Sequence, residues 1–426
     1  MERLIVEKSL NLKGHVRISG AKNASLPILA ACLLGTEDIV LEDVPNLKDV
    51  EVMCEVLKSL GARVEKLPDG KLKINAKNIT SYETNYELMR KMRASFLVMG
   101  PLLGRIGKAK NAQPGGCAIG ARPIDLHLKG FKALGVTVDE NQGESEDGED
   151  SYLFAHTDEL VGDKVYLDFP SVGATENIMM AAVLAKGETI IENAAMEPEI
   201  VDLSNFLRKL GGNIRGAGTN TITIKGVEKL GGATHQIIPD RIEAGTFMVA
   251  AAITGGELYI ENIIPNHLRP VISKLEETGT IIEEGDDYLK VIGPKELKSI
   301  DIKTLPYPGF PTDMQAQFMA MMTQCAGTNI VMETVFENRF MHVDEFNKMG
   351  ANITVEGKSA IINGKANLKG SIVKATDLRC GAALILAALV AEGRTEIQNT
   401  YHIDRGYENF EEKFRNIGAN IWREKN

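Results

Sequence analysis

The chain has 426 residues, 44% of them hydrophobic and 25% charged, and its 58 acidic and 48 basic side chains give a formal net charge of -10. This length exceeds one ordinary hydrophobic core, so two domains are expected, and the composition excludes a disordered or collagen-like chain. The acidic balance argues against nucleic acid as the main partner, because phosphate backbones attract basic surfaces.

The N-terminus carries charges at Glu2, Arg3, Glu7 and Lys8 and has no apolar block, so neither a signal peptide nor a transit peptide is expected. Polar residues interrupt the longest uncharged run, 314–332, which argues against a membrane span. We therefore expect a cytoplasmic protein that is a monomer or a weak oligomer. The five cysteines and seven histidines form neither a CxxC pair nor a metal-ligand pattern, so no metal and no cofactor is predicted.

Two series of glycines organise the chain. Six apolar, helix-like stretches end in glycines 66 to 80 residues apart, at positions 35, 107, 187, 255, 327 and 393. Six amphipathic stretches end in glycines 68 to 76 residues apart, at positions 61, 135, 211, 279, 350 and 418. Matched spacing in both series indicates six repeated units. The alternative, one long α/β protein with coincidental glycines, does not account for the match.

The first unit shows what each unit contains. Val50, Met53 and Leu57 mark one face of a helix, and Gly61 suits the left-handed position that follows a helix. The segment 62–74 then alternates around a Pro-Asp-Gly turn, which predicts a hairpin. Each unit is therefore helix, strand, helix and strand pair. We predict an α/β fold with three units in each of two domains, 22–238 and 1–21 with 239–426.

The acidic run 139–151 interrupts the hairpin of the second unit. Its composition is typical of a solvated excursion, and a functional acidic surface is the alternative.

Polar or charged residues precede the apolar helix of each unit. These helix starts carry Lys22, Arg93, Asp240, Arg241, Asp313, Asp377 and Arg379. A helix start presents free N–H groups and a positive dipole end, so an added Lys or Arg creates an anion site. Each residue alone could be a cap or a solvated surface charge. Their recurrence in every unit favours a site for a multiply anionic ligand.

The segment 113–130 is unlike the rest of the chain. Gly115, Gly116 and Gly120 predict a mobile loop that carries Cys117 outside any apolar helical face, with Arg122 nearby. A thiol in that setting is expected to be reactive. The alternative, a buried inert thiol, is what we expect for the cysteines in apolar helical stretches, at positions 32, 54, 325 and 380.

Eight segments closely resemble the bacterial enolpyruvyl transferases that act on UDP-N-acetylglucosamine. They are GAKNASLPIL (20–29), PGGCAIGARPIDLH (114–127), FPSVGATEN (169–177), ENAAMEPEIVDL (192–203), PDRIEAGTF (239–247), PGFPTDMQAQF (308–318), ETVFENRFMHV (333–343) and YHIDRGYE (401–408). The resemblance implies a two-domain inside-out α/β barrel with three repeated units per domain. It also implies transfer of enolpyruvate from phosphoenolpyruvate to the 3′-hydroxyl of UDP-N-acetylglucosamine, with release of phosphate, as the first committed step of peptidoglycan synthesis.

The resemblance also assigns roles to individual residues. Cys117 is implied as the proton donor to the methylene carbon and as the site of a covalent phosphoenolpyruvate adduct, and Asp313 as the candidate base for the attacking hydroxyl. Phosphoenolpyruvate would contact Lys22, Asn23, Arg122, Arg379 and Arg405. The sugar nucleotide would contact Arg93, Arg122, Pro123, Ile124, Asp125, Leu126, Ser171, Val172, Gly173, Asp313 and Val335. Supporting residues would be Glu197, Asp240, Arg241, Arg339 and Asp377. For Arg339, a structural ion pair is the alternative.

Three further expectations follow from the resemblance. The Cys117 loop would close over bound nucleotide, the sugar nucleotide would bind first, and fosfomycin would alkylate Cys117. Two rivals stay open at this point. One is the sister transferase that uses shikimate 3-phosphate, whose family lacks this cysteine loop. The other is a catalytically silent paralogue that senses UDP-N-acetylglucosamine.

Overall fold

The computed structural model describes residues 2–112, 124–142 and 151–425. Cys117, Arg122, Pro123 and most of the predicted acidic excursion therefore lie outside the described residues. The described chain divides into two compact units. We call residues 20–238 the first domain, and residues 2–19 with 239–425 the second domain.

Fourteen α-helices lie in the described ranges. Those of the first domain are α1 (Lys22–Ala31), α2 (Lys48–Ser59), α3 (Tyr86–Lys91), α4 (Met99–Ile106), α5 (Asp125–Ala133), α6 (Val172–Ala182) and α7 (Pro198–Lys209). Those of the second are α8 (Arg241–Thr254), α9 (Arg269–Glu277), α10 (Gln315–Met322), α11 (Val343–Lys348), α12 (Leu378–Val390), α13 (Tyr401–Asp404) and α14 (Phe410–Asn416). Short 3-10 helices span Cys32–Leu34, Arg93–Val98, Pro265–Leu268 and Thr312–Met314.

The described strands form six sheets, three in each domain. The first domain contains β3 (Ile39–Glu42), β4 (Arg63–Lys66), β5 (Leu72–Asn75), β6 (Lys108–Ala112), β7 (Thr137–Gln142), β8 (Ser151–His156), β9 (Lys164–Tyr166), β10 (Glu188–Glu192), β11 (Asn213–Arg215), β12 (Thr221–Lys225) and β13 (Thr234–Gln236). The second contains β1 (Glu2–Glu7), β2 (Lys13–Arg17), β14 (Glu257–Glu261), β15 (Ile281–Glu284), β16 (Tyr288–Ile292), β17 (Ile302–Lys303), β18 (Thr328–Met332), β19 (Ile353–Glu356), β20 (Ser359–Asn363), β21 (Ile372–Lys374), β22 (Arg394–Gln398) and β23 (Asn420–Lys425).

The six apolar stretches of the sequence are the innermost helices. In α8, every residue from Ile242 to Thr254 is buried, and α12 is buried from Arg379 to Leu389. A helix that is apolar on all sides must lie inside a protein, which explains this placement. Strands such as β12 and β14 alternate buried and more exposed residues, so each sheet turns one face to the core. Each domain has its own hydrophobic core.

The predicted helix ends are confirmed. All six glycines of the second series have positive φ, between 86° at Gly135 and 111° at Gly211. A side chain is disfavoured in that conformation, which is why glycine recurs there. In the first series Gly35 is the exception, with φ of -78°, because its helix ends in the 3-10 turn Cys32–Leu34.

The predicted hairpins are also confirmed, and the register places Val64 opposite Ile74 in the first unit. Each of the five four-stranded sheets adds one short strand that the sequence did not reveal, such as β9, which pairs in parallel with β10. Four of these added strands have two or three residues, which is too few for a periodic pattern to appear, whereas the fifth, β2, has five residues.

Two of these strands pair with partners far along the chain. Strand β2 precedes α1 in sequence, yet it pairs in parallel with β14. Strand β13 precedes α8, yet it pairs in parallel with β3. The N-terminal strand β1 lies between β22 and β23. It has the place that the second hairpin strand has in the other four-stranded sheets.

The cysteines at positions 32, 54, 325 and 380 are all buried, as predicted. Burial raises the pKa of Cys325 and of Cys380 to about 12, so both thiols stay protonated at neutral pH. Within the described ranges the longest helix, α8, has 14 residues, and no helix there has the length and apolar character that a membrane span requires.

Candidate active site

Lys22 is the first residue of α1 and is buried despite its charge. Its Nζ lies 2.8 Å from Oδ2 of Asp49 on α2, and the two side chains are only 10% and 4% exposed. Asn23, the next residue, is partly buried. The start of α1 therefore holds a cation whose charge is compensated by a buried carboxylate. Asp49 was not among the predicted site residues. The one feature of the sequence that could have revealed it is a charged residue on the apolar face of α2.

Two segments predicted to bind the sugar nucleotide lie together in the first domain. Ser171 caps α6, and its Oγ accepts a hydrogen bond from the N–H of Ala174 at 3.3 Å. Val172 and Gly173 begin that helix, and Ile124 caps α5, which begins with Asp125 and Leu126. A Cβ added at Gly173 would lie 3.3 Å from the ring of His127, so the start of α6 closely approaches α5. This close approach requires a small residue at position 173.

Asn177 joins these segments, although the sequence analysis missed it. Its Nδ2 donates to the carbonyl of Phe96 at 3.1 Å and lies 3.1 Å from Nδ1 of His127. Its Oδ1 accepts from the N–H of Gly100 at 2.7 Å. Asn177 therefore ties α6 to the backbone of the segment Arg93–Val98 and to the side chain of His127 on α5. A polar residue within the apolar stretch ATENIMMAA was the available signal.

A group of carboxylates lies where α6 and α7 meet. Glu197 caps α7, and Glu199 lies in its first turn. Burial raises the pKa of Glu176 on α6 well above its usual range, and the charges of Glu199 and Glu197 raise it further. Oε1 of Glu176 has no hydrogen-bond partner among the described residues. Both effects favour the protonated form of this carboxyl group.

Two predicted site residues of the second domain are helix caps. Oδ1 of Asp240 accepts from the N–H groups of Ile242 and Glu243, at 2.8 and 3.0 Å. Asp377 accepts in the same way from Arg379 and Cys380, at 2.8 and 3.1 Å. The capping interpretation therefore holds for both residues. The guanidinium of Arg241 lies 5.7 Å from the centre of the Tyr307 ring.

Asp313 bridges two buried arginines in the second domain. Its Oδ1 accepts from Nη2 of Arg339 at 2.7 Å, and its Oδ2 accepts from Nη2 of Arg379 at 2.9 Å. Both arginine side chains are almost fully buried, at 7% and 3% exposed. Arg339 thus forms an ion pair, as its alternative interpretation expected. Its partner, Asp313, is itself a predicted site residue.

The two arginines set the protonation state of Asp313. Burial alone would raise the pKa of this carboxyl group, but Arg379 and Arg339 outweigh burial and hold the pKa well below its usual range. Asp313 is therefore ionised at neutral pH. A carboxylate held in this way is a good hydrogen-bond acceptor for a hydroxyl, but it is a weak base as long as both arginines stay on it.

Glu333 is connected to the same cluster by hydrogen bonds, although it was not among the predicted site residues. Its Oε2 accepts from the hydroxyl of Thr312 at 2.9 Å, and Thr312 accepts from Nη1 of Arg339 at 3.0 Å. Its Oε1 accepts from the N–H of Val335 at 2.8 Å. The buried Glu333 thus ties the turn at Val335, a predicted nucleotide contact, to the turn that carries Asp313.

Arg405 follows α13 and is partly buried. Burial and the positive charge of Arg405 both lower the pKa of His402, which favours a neutral imidazole there. Taken one domain at a time, the helix starts contain buried cations that are compensated by carboxylates. Such an arrangement suits carboxylate and phosphate ligands.

Comparisons with known proteins agree with this chemistry. Residues 6–414 match the family described as EPSP synthase (3-phosphoshikimate 1-carboxyvinyltransferase). The chain belongs to this enolpyruvyl transferase family. It is 62% identical over 421 residues to UDP-N-acetylglucosamine 1-carboxyvinyltransferase 1 of Caldanaerobacter subterraneus, covering 99% of both chains. It is 60% identical over 425 residues to UDP-N-acetylglucosamine 1-carboxyvinyltransferase of Finegoldia magna, again covering 99% of both.

Solved structures of the family share the fold. The enolpyruvyl transferase NikO from Streptomyces tendae aligns with a TM-score of 0.88 at 23% identity, over 99% of this chain and 98% of that one. EPSP synthase from Acinetobacter baumannii aligns with a TM-score of 0.77 at 20% identity, over 100% of both chains. The predicted two-domain α/β fold is thereby confirmed, and its described strands form six sheets.

Proposed function

We propose that the chain transfers the enolpyruvyl group of phosphoenolpyruvate to the 3′-hydroxyl of UDP-N-acetylglucosamine and releases phosphate. In a bacterial cell this would be the first committed step of peptidoglycan synthesis. The observation that carries the proposal is the 62% identity to a UDP-N-acetylglucosamine 1-carboxyvinyltransferase over 99% of the chain. The buried cations at the helix starts support it, because both substrates are polyanions.

The reaction needs a proton for the vinyl carbon and an acceptor for the hydroxyl proton. Protonation of the methylene carbon of phosphoenolpyruvate leaves a cation-like centre at C2, which the 3′-hydroxyl attacks. The tetrahedral intermediate then loses phosphate and a methyl proton, which restores the double bond. In this proposal Cys117 donates the first proton. Asp313 accepts the hydrogen bond of the attacking hydroxyl and takes its proton.

The low pKa of Asp313 makes its role depend on its arginines. A carboxylate that two guanidinium groups stabilise has little tendency to take a proton. If the anionic groups of phosphoenolpyruvate draw Arg379 away, Asp313 regains basicity when the substrate is bound. We propose that Lys22, Asn23, Arg122, Arg379 and Arg405 bind phosphoenolpyruvate, so that substrate binding itself activates the base.

The sugar nucleotide would be held by the segments that Asn177 joins and by the turn above Glu333. Its proposed contacts are Arg93, Arg122, Pro123, Ile124, Asp125, Leu126, Ser171, Val172, Gly173, Asp313 and Val335. Glu197, Asp240, Arg241, Arg339 and Asp377 would support the site. We also propose that the protein acts in the cytoplasm as a monomer or a weak oligomer. The names of the close relatives favour this activity over a shikimate 3-phosphate transferase and over a silent sensor.

A phosphate-release assay with phosphoenolpyruvate tests the proposal. The purified protein should release phosphate when UDP-N-acetylglucosamine is the acceptor, but not when shikimate 3-phosphate is. Cys117→Asp should stay active, because a carboxylic acid can also donate a proton, while Cys117→Ser should lose activity. Fosfomycin should inactivate the wild type and add its mass at Cys117, but should spare Cys117→Asp. Nucleotide binding without phosphate release would establish the sensor instead.

A further inference from the structure

The hydroxyl of Tyr407 lies close to residues in the N-terminal halves of three central helices. Nη1 of Arg379, on α12, lies 3.2 Å from this oxygen. Oγ1 of Thr246, on α8, lies 3.2 Å away, and Nε2 of Gln317, on α10, lies 3.3 Å away. Tyr407 is only 3% exposed. The role assignments above did not include this residue.

The direction of each hydrogen bond around Tyr407 follows from its neighbours. The hydroxyl of Thr246 donates to the carbonyl of Ile242 at 2.8 Å, so its oxygen is left to accept. The O–H of Tyr407 therefore donates to Thr246, and its oxygen accepts from Arg379 and Gln317. Burial raises the pKa of Tyr407, so this proton stays in place at neutral pH. The chain of bonds runs one way, from Arg379 through Tyr407 to the backbone of α8.

Tyr407 also contacts Arg379 through its ring. The guanidinium carbon lies 5.5 Å from the ring centre, within the range of a cation–π interaction. The ring itself stacks on Phe410, with centres 4.2 Å apart and planes 27° apart. Nη2 of Arg379 is bound to Asp313 at 2.9 Å. Nη2 of Arg379 is thus bonded to the Asp313 carboxylate, and Nη1 is bonded to the Tyr407 hydroxyl. The Tyr407 ring also contacts the guanidinium.

We propose that Tyr407 is the positioning residue for Arg379. It holds Nη1 of Arg379, so that the guanidinium stays oriented for phosphoenolpyruvate when the substrate draws Nη2 away from Asp313. Nε of Arg379 is buried and has no hydrogen-bond partner in the part of the chain that the structure describes, so the Tyr407 bond is one of the few restraints on its rotation. This inference rests on the proposed function, because it assigns Arg379 to phosphoenolpyruvate.

The test is steady-state kinetics on Tyr407→Phe, which keeps the ring and its stack on Phe410 but removes the hydroxyl. The KM for phosphoenolpyruvate should rise about 10-fold or more, the usual cost of a lost hydrogen bond to a charged group. The KM for UDP-N-acetylglucosamine should stay within about twofold of wild type, since no proposed nucleotide contact bonds to Tyr407. Tyr288→Phe, at a 41% exposed tyrosine of the same domain, is the matched control and should change neither constant.

Thr246→Val tests the same chain of bonds without touching Tyr407. It should raise the KM for phosphoenolpyruvate less than Tyr407→Phe does, and Thr246→Ser should restore it. The double variant should be no worse than Tyr407→Phe alone, because Thr246 acts through the phenol. If Tyr407→Phe does not fold, Thr246→Val alone still tests whether Tyr407 positions Arg379.

Three results would overturn the proposal. One is an unchanged KM for phosphoenolpyruvate in Tyr407→Phe, and another is an equal rise in both KM values, as a general loss of structure would produce. The third is full additivity of the two substitutions. A wild type that releases no phosphate would instead refute the proposed function, so the two failures are distinguishable.

Discussion

The two domains contain the same repeated unit, but they differ in the charged side chains at their helix starts. In the second domain Asp313 joins two buried arginines, and Glu333, Thr312 and Tyr407 complete a connected network. In the first domain Lys22 and Asp49 form a buried ion pair, and α6 is capped by the uncharged Ser171. A repeated backbone thus supplies N–H groups and dipoles at every helix start, while individual side chains decide which starts are rigid and charged.

The central helices differ in a second way. Glu176 in the first domain is a buried carboxyl among other carboxylates, with an unpartnered oxygen within the described ranges. Glu243 in the second domain is equally buried, but it is bound to Lys413 and accepts from the N–H of Ser19 at 2.9 Å. Of these two glutamates, the one in the second domain is therefore the more completely compensated.

Asp313→Asn should have the largest effect. It leaves Arg339 and Arg379 buried without their carboxylate, so the free energy of unfolding should fall by about 3–5 kcal/mol. The kcat should fall about 100-fold or more, because the acceptor for the hydroxyl proton is lost. Denaturant unfolding and the phosphate-release assay measure these effects. Asp344→Asn, at an exposed position of α11, is the control. If Asp313→Asn were as stable as the wild type, the Asp313 carboxylate would not be needed to compensate the buried charges of Arg339 and Arg379.

The second prediction concerns the pH dependence of stability at the two buried glutamates. Burial raises the pKa of Glu243 to about 7, although Lys413 opposes the rise. Because the folded-state pKa lies above the unfolded value, Glu243 stabilises the fold fully below about pH 4.5, and this contribution is lost as the pH rises through 7. The loss is about 3 kcal/mol.

Glutamine mimics the protonated acid, so both Glu243→Gln and Glu176→Gln should flatten the fall in stability between pH 5 and 8. Glu176→Gln should gain more at pH 8, because Glu243→Gln deprives Lys413 of its partner. Urea midpoints at several pH values measure this order. A larger gain in Glu243→Gln would mean that Lys413 compensates little of the Glu243 charge.

Asp49→Asn should have the smallest effect on stability, about 2 kcal/mol, since Lys22 can release its proton whereas an arginine cannot. Loss of the carboxylate should make Lys22 deprotonate more easily. The alkaline limb of kcat/KM for phosphoenolpyruvate should therefore move to lower pH. Glu55→Gln, at an exposed position of the same helix, is the control and should leave the pH profile in place. If the alkaline limb of kcat/KM did not move in Asp49→Asn, Lys22 would not be the group whose charge is needed to bind phosphoenolpyruvate.

The candidate site was only partly predictable from sequence. Capping residues such as Asp240 and Asp377 could be placed because a cap bonds within its own first turn. Partners such as Asp49, Glu333 and Tyr407 could not, because nothing in their local pattern distinguishes a site partner from an ordinary polar residue. The proposed roles of Cys117 and Arg122 rest on the resemblance alone, since both lie outside the described residues.

Local residue patterns were enough to predict the six units, their helix ends and the hairpins of the first five. These features are local: a glycine with positive φ, an apolar helix or an alternating strand follows from residues close together in the chain. Only the tertiary structure decided that β2 pairs with β14, that β13 pairs with β3, and that β1 completes the last sheet. It also decided that Asp313 meets arginines 26 and 66 residues away. Contacts of that kind depend on how whole helices pack, which no short segment of the sequence encodes.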